Sequence, residues 1–219
     1  MDVLSPEELR VLGSLVEKQL STPDNYPLTQ NAVMAACNQV SNRNPVVAYD
    51  DDTVRLTLNG LRTRQLARIL HTPGGRTPKH RHVLDEALEL DRGELALMCV
   101  LKLRGPQTPG ELRSRTERMF EFGSLPAVDD TLTGLAERPD PLVVRLERQP
   151  GRKEPRYAHL LGGVPDPETL AELYGTGEDG GTGRRGGGSA AERIAALEAR
   201  VDVLEQQVSE FRGVHDPAG

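Results

Sequence analysis

The chain has 219 residues, and its 27 Lys and Arg against 33 Asp and Glu give a formal net charge of −6. That balance excludes a uniformly basic body that holds nucleic acid by charge alone. An aromatic content of 3%, without tryptophan, leaves little for the stacking platforms of single-strand and RNA binders. Charge is uneven along the chain: residues 1–84 hold ten basic and eight acidic side chains, residues 85–162 twelve and fourteen, and residues 163–219 five and eleven. The first segment is therefore the one with a cationic surplus. Cys37 and Cys99 sit in apolar helical patterns and read as reduced core thiols of a cytoplasmic protein. Neither a signal peptide nor an apolar run of bilayer-spanning length is visible, so no membrane partner is expected.

In chain order, Ser5-Pro6-Glu7-Glu8 combines a capping hydroxyl, proline at the first helical position and a carboxylate three residues on. It predicts a helix over 5–20, with Leu9, Leu12, Leu15, Val16 and Leu20 on its buried stripe. A second helix is predicted over 28–38. The stretch AACNQVSNRNPVVAYD then crowds Asn38, Gln39, Ser41, Asn42, Arg43 and Asn44 into one connection. Short amides and hydroxyls tie off turn backbone, whereas Arg43 suits a phosphate or an internal salt bridge equally. The third helix, 51–64, buries Val54, Leu58 and Leu61 and turns Arg55, Asn59 and Arg62 outward. Two strand-like runs around a Pro-Gly-Gly turn follow in LARILHTPGGRTPKHRHVL.

Residues 91–161 repeat this order, with helices at 91–104, 108–118 and 127–138 and a second pair of alternating runs in LVVRLERQPGRKEPRYAHLL. Asp91 and Thr108 are the capping residues, and RTERMFEF supplies Met119, Phe120 and Phe122 to the second core or to the contact between the two domains. The third helices share Leu58-Asn59-Gly60-Leu61 and Leu132-Thr133-Gly134-Leu135. A mid-helix glycine costs roughly 1 kcal/mol relative to alanine, so its recurrence predicts close packing at both places. Three helices and a hairpin are the order of a winged helix. The expected fold is mainly α with small β hairpins, an α+β class: winged-helix domains at 1–84 and 85–163 in tandem.

A short helix and a glycine-rich linker are read over 164–188, and a coiled-coil helix over 189–212. The linker's Gly181-Thr182-Gly183-Arg184-Arg185-Gly186 matches a dinucleotide fingerprint formally, but no strand precedes it. Ile194, Leu197, Val201, Leu204, Val208 and Phe211 fall at heptad a and d positions, and Arg193 with Glu198 and Arg200 with Glu205 are complementary in a parallel pair. A homodimer through this helix is expected; docking on its own chain is the alternative.

The stretches RVLGSLVEKQLSTPDNYPLTQNAVMAACNQVSNRNPV, ELALMCVLKLRGPQTPGELRSRTERMFEF and GRKEPRYAHLLGG resemble the bacterial YceH family over about residues 4–163. The resemblance implies a tandem winged-helix fold and a DNA-binding role, and it supplies no catalytic residue. The chain departs from the pattern at KHRH, where an aromatic is expected after Lys79, and in the linker and heptads, which lie outside the shared stretch.

The candidate DNA-binding residues are Asn42, Arg43, Arg55, Asn59, Arg62, Arg76, Lys79 and Arg81, with His80 and His82 beside them on the first hairpin. Arginine and asparagine read guanine and adenine edges bidentately. Asp50, Asp51 and Asp52 complement the helix dipole but repel a phosphate at that end. The second unit is a weaker reader, because Asp129, Asp130 and Glu137 load its third helix, although Arg148, Arg152, Lys153 and Arg156 sit in its hairpin. No nucleophile elbow, phosphate loop or zinc pattern occurs, so neither an enzyme, a cofactor nor a metal is expected. The expected function is double-stranded DNA binding, as in a transcriptional regulator; the alternative is a winged-helix scaffold for a protein partner.

Overall fold

The computed structural model describes residues 2–71, 77–147 and 154–165, all within one compact unit, Met1–Leu170. The linker, the six heptad positions and Arg76, Arg148, Arg152 and Lys153 lie outside the described residues.

Local capping chemistry starts the helices where the sequence places it. Helix α1 (Pro6–Ser21) opens on a capping box: Ser5 Oγ accepts from Glu8 N at 3.2 Å, and Glu8 Oε2 accepts from Ser5 N at 2.9 Å. Strand β1 (Leu28–Thr29) and helix α2 (Gln30–Cys37) follow, with Thr29 as the cap. The helix expected from residue 28 thus starts later, because its first two residues pair with a strand. Asp50 caps α3 (Asp51–Thr63), its carboxylate accepting from Thr53 N at 2.8 Å. Strands β2 (Ala67–Leu70) and β3 (Lys79–His82) form the hairpin, and β1 pairs on the far side of β3, giving an antiparallel sheet of order β1-β3-β2. Leu28 lies opposite His80, and Ala67 opposite His82.

After the short helix α4 (Leu84–Leu88), which the sequence pattern does not announce, the order recurs: α5 (Arg92–Arg104), α6 (Pro109–Thr116), α7 (Leu125–Ala136), β4 (Val143–Arg145) and β5 (Tyr157–His159). Asp91 and Thr108 both build capping boxes, and α7, capped by Ser124, starts at Leu125, two residues before the expected position. Gln107, just before α6, bridges to Tyr157, so it stands where β1 stands in the first half. The internal repeat is architectural: seven helices and two small antiparallel sheets among the described residues.

The core runs through both halves without a break. Ten of the thirteen residues of α5 are buried, as expected of a helix that is apolar on nearly every side. It lies against α1, α6, α7 and β5 at once. Gly13 makes the α1 crossing possible: a Cβ there would lie 2.8 Å from Leu103 Cδ2. The halves are tied again by Leu4 N to Leu161 O and Asn44 N to Leu103 O, both at 2.8 Å. Cys37 and Cys99 are buried free thiols, and Met119 and Phe122 join the core. The shared mid-helix glycines do not mark close packing. Among the described residues a Cβ on Gly60 would meet only Glu8 Oε1, at 3.4 Å, and one on Gly134 nothing within 4 Å. No helix among the described residues is long and apolar enough to cross a membrane.

Candidate nucleic-acid interface

The amide-rich turn largely ties itself off. Asn38 clasps Tyr49 through both amide atoms, Nδ2 donating to its carbonyl and Oδ1 accepting from its N–H, each at 2.8 Å. This clasp fixes the approach of the chain to α3.

Arg43 turns inward, against the expectation that it meets a phosphate. Its side chain is 0% exposed and fork-paired with Glu17, at 3.1 and 2.6 Å. It also donates to the Ala36 carbonyl, the Asn42 carbonyl and Gln39 Oε1. With its donors spent on buried acceptors it has none for a ligand. Asn42 adopts a left-handed φ of 61°, and its Oδ1 accepts from Arg104 rather than facing α3.

Helix α3 carries the exposed face that its periodicity predicts. Val54, Leu58 and Leu61 are buried, while Arg55, Asn59 and Arg62 are exposed. Arg55 pairs with Asp52 at 2.8 Å, and Arg62 donates to Asn59 Oδ1 at 3.2 Å. Neither contact consumes the arginine, since an exposed ion pair contributes only about 0.2–1 kcal/mol. Two local bonds, to the hydroxyl and N–H of Thr53, hold the Asp50 carboxyl below its ordinary range, so the negative charge at the helix start is fixed.

Beside this face α3 and β2 enclose an open groove of about 770 Å3, lined by Asn59, Arg62, Thr63, Arg68, Ile69 and His71 with Ala67 at its base. Among the described residues no carboxylate lines it. Arg68 and His71 are additions to the residues that the sequence singles out. Alternation in ARIL, with Ala67 buried and Arg68 exposed, is the signal that could have found Arg68.

On β3 the same alternation separates the two histidines from the cations they stand beside in KHRH. His80 and His82 are buried, while Lys79 and Arg81 are half-exposed on the other face. Burial, then nearby Arg62, holds His80 below its ordinary value; burial, then Lys102 and Arg81, drives His82 down to about 3. Both are neutral at physiological pH and add no charge to the surface. Glu86 of α4 pairs with Arg81, and with Arg68 at 3.3 Å.

The second unit presents a different surface. The outward positions of α7 include Asp130 and Thr133, and Glu137 is its exposed C-cap. Arg156 is held by Glu111 at 2.7 Å and by the Pro106 carbonyl at 2.8 Å.

A family described as "Protein of unknown function, DUF480" matches residues 4–152. The chain belongs to the DUF480 family. A UPF0502 protein of Pelobacter propionicus is 50% identical over 214 residues, covering 98% of this chain and 95% of its own. Another, from Geobacter sulfurreducens, is 50% identical over 225 residues, with 96% and 97% covered. One from Opitutus terrae is 56% identical over 164 residues, with 74% and 71% covered. The DUF480 match contains every groove-lining residue. The likeness to the Pelobacter protein extends past residue 163 into the tail, beyond the stretch over which the sequence resembles the YceH family.

Proposed function

We propose that the first helix–sheet unit is a winged helix that binds double-stranded DNA, as part of a regulator, and that the second is a winged helix that supports it. On this reading the YceH resemblance and the DUF480 family describe one group of proteins. The order α1-β1-α2-α3-β2-β3 supports the assignment, with α3 as the recognition helix and β2–β3 as the wing. The carrying observation is the convergence of Arg62, Asn59, Arg68 and His71 on one groove whose lining, among the described residues, holds no carboxylate; Glu86 reaches Arg68 at 3.3 Å from outside that lining. The groove edge takes a phosphate strand through Arg62 and Arg68, while Arg55 and Asn59 face base edges. Lys79 and Arg81 extend the contact along the wing, and Arg43 stays in the core. The role is non-catalytic.

The test is fluorescence anisotropy of a labelled duplex with the full chain. Arg62→Gln with Arg68→Gln reduces affinity at least about tenfold, as expected for two charge-assisted phosphate contacts. Unchanged affinity in that double variant refutes the assignment.

Leu56, 61% exposed beside Arg55 on α3, favours a second reading in which this face docks a protein. Leu56→Gln separates the two, because it leaves duplex affinity intact and weakens only an apolar contact.

A further inference from the structure

A second cationic site lies away from the α3 groove, in a cleft of about 230 Å3 between the end of α1, the 39–42 turn, α5 and α6. Lys18, Arg104, Arg115 and Arg118 line it together with Ser41 and Asn42. Among the described residues Glu17 is the one carboxylate of the lining, and both its oxygens are already taken by Arg43. Lys18 reaches Glu17 only at 3.8 Å. Arg115 lies 3.5 Å from Glu111, whose other oxygen holds Arg156 at 2.7 Å. The carboxylates that Lys18 and Arg115 approach therefore hold other arginines more closely. The crowding is felt at Arg104, whose guanidinium is held below its ordinary value by burial first and by Arg115 next.

Clustered cations at a partly desolvated cleft repel one another, and a multivalent anion among them removes that repulsion. Guanidinium forks match phosphate oxygens bidentately, and lysine adds a point charge. Ser41 and Asn42 bring neutral donors on a turn whose left-handed residue is held by Arg104. The volume lies below the roughly 300–1,000 Å3 of sites for drug-sized ligands, so the occupant is small. We propose that this cleft binds a small phosphate monoester, its phosphate held by Lys18, Arg115 and Arg118. A nucleic-acid backbone offers the same phosphate chemistry, and the experiment separates the two sources.

The experiment is calorimetric titration of the full chain with ribose 5-phosphate and with inorganic phosphate, at ionic strength held constant with chloride. Wild type gives saturable one-to-one binding. Arg115→Gln and Arg118→Gln each weaken it at least about tenfold, whereas Arg62→Gln, which alters only the α3 groove, leaves it unchanged. A short duplex in excess does not displace ribose 5-phosphate. Absence of saturable heat for both ligands, equal binding by the Arg115→Gln/Arg118→Gln double variant, or displacement by the duplex each overturns the proposal. Circular dichroism melting of the variants shows that any loss of binding occurs in folded protein.

Discussion

Lys102 lies wholly buried on α5, and its Nζ has no hydrogen-bond partner among the described residues. Burial lowers its pKa from 10.5 to about 8, against an opposing contribution from Cys99. At 1.36 kcal/mol for each tenfold change, that displacement corresponds to about 3 kcal/mol spent holding a charged amine inside the fold at neutral pH. Lys102→Met keeps most of the stem volume and removes the charge, so it stabilises the protein by about 2–3 kcal/mol. For a chain of this size that raises Tm by roughly 5–10 °C. The folded pKa is depressed, so the unfolded chain binds the proton more tightly. The penalty is complete below the folded value, shrinks as pH rises towards 10.5 and vanishes above it. Urea denaturation of wild type and variant across that range is the assay. The gain is largest at neutral pH and closes in alkali. Destabilisation by the substitution, or a gain independent of pH, refutes the reasoning.

Arg43→Met strands the half-buried Glu17 carboxylate and the buried Ala36 carbonyl and costs about 3 kcal/mol in chemical denaturation; Arg55→Ala, which removes an exposed pair, changes stability by less than about 1 kcal/mol. Gly134→Ala gains about 0.5–1 kcal/mol, because its Cβ meets nothing. Gly13→Ala loses stability despite the same helical gain, because its Cβ overlaps Leu103; thermal melts of the two variants show opposite signs. His82 and His159 are depressed to about 3 and about 4, by burial first and Lys102 second. The unfolded chain therefore takes up their protons first, and stability that is complete above 6.5 falls as pH drops towards the folded values. His159→Phe flattens that decline in acid melts, and an unaltered pH profile contradicts the assignment.

What the sequence made legible was local. Capping boxes at Ser5, Asp91 and Thr108 are complete within four residues, and the structure builds all three. The exposed face of α3 follows from a period that the helix itself imposes. What stayed hidden depends on distant partners. Leu28 and Thr29 become a strand only because Lys79 and His80 arrive beside them. Arg43 is drawn inward by Glu17, one helix away, and no feature of the turn reports that. Helix α4 is five residues long, too short for periodicity to show, and it brings Glu86 to Arg68 and Arg81. The two faces of KHRH and the outward position of Arg68 were available from strand alternation. Counting charges along the segment, without assigning sides, concealed them.

The salt dependence of duplex binding tests the central claim most directly. If Arg62 and Arg68 hold phosphates, the affinity of the full chain for a short duplex falls linearly on a double-logarithmic plot against salt. Arg62→Gln with Arg68→Gln then makes the slope shallower by about 2, close to one unit for each phosphate no longer neutralised. A duplex affinity that is absent at low salt, or a slope that the double variant leaves unchanged, contradicts the account.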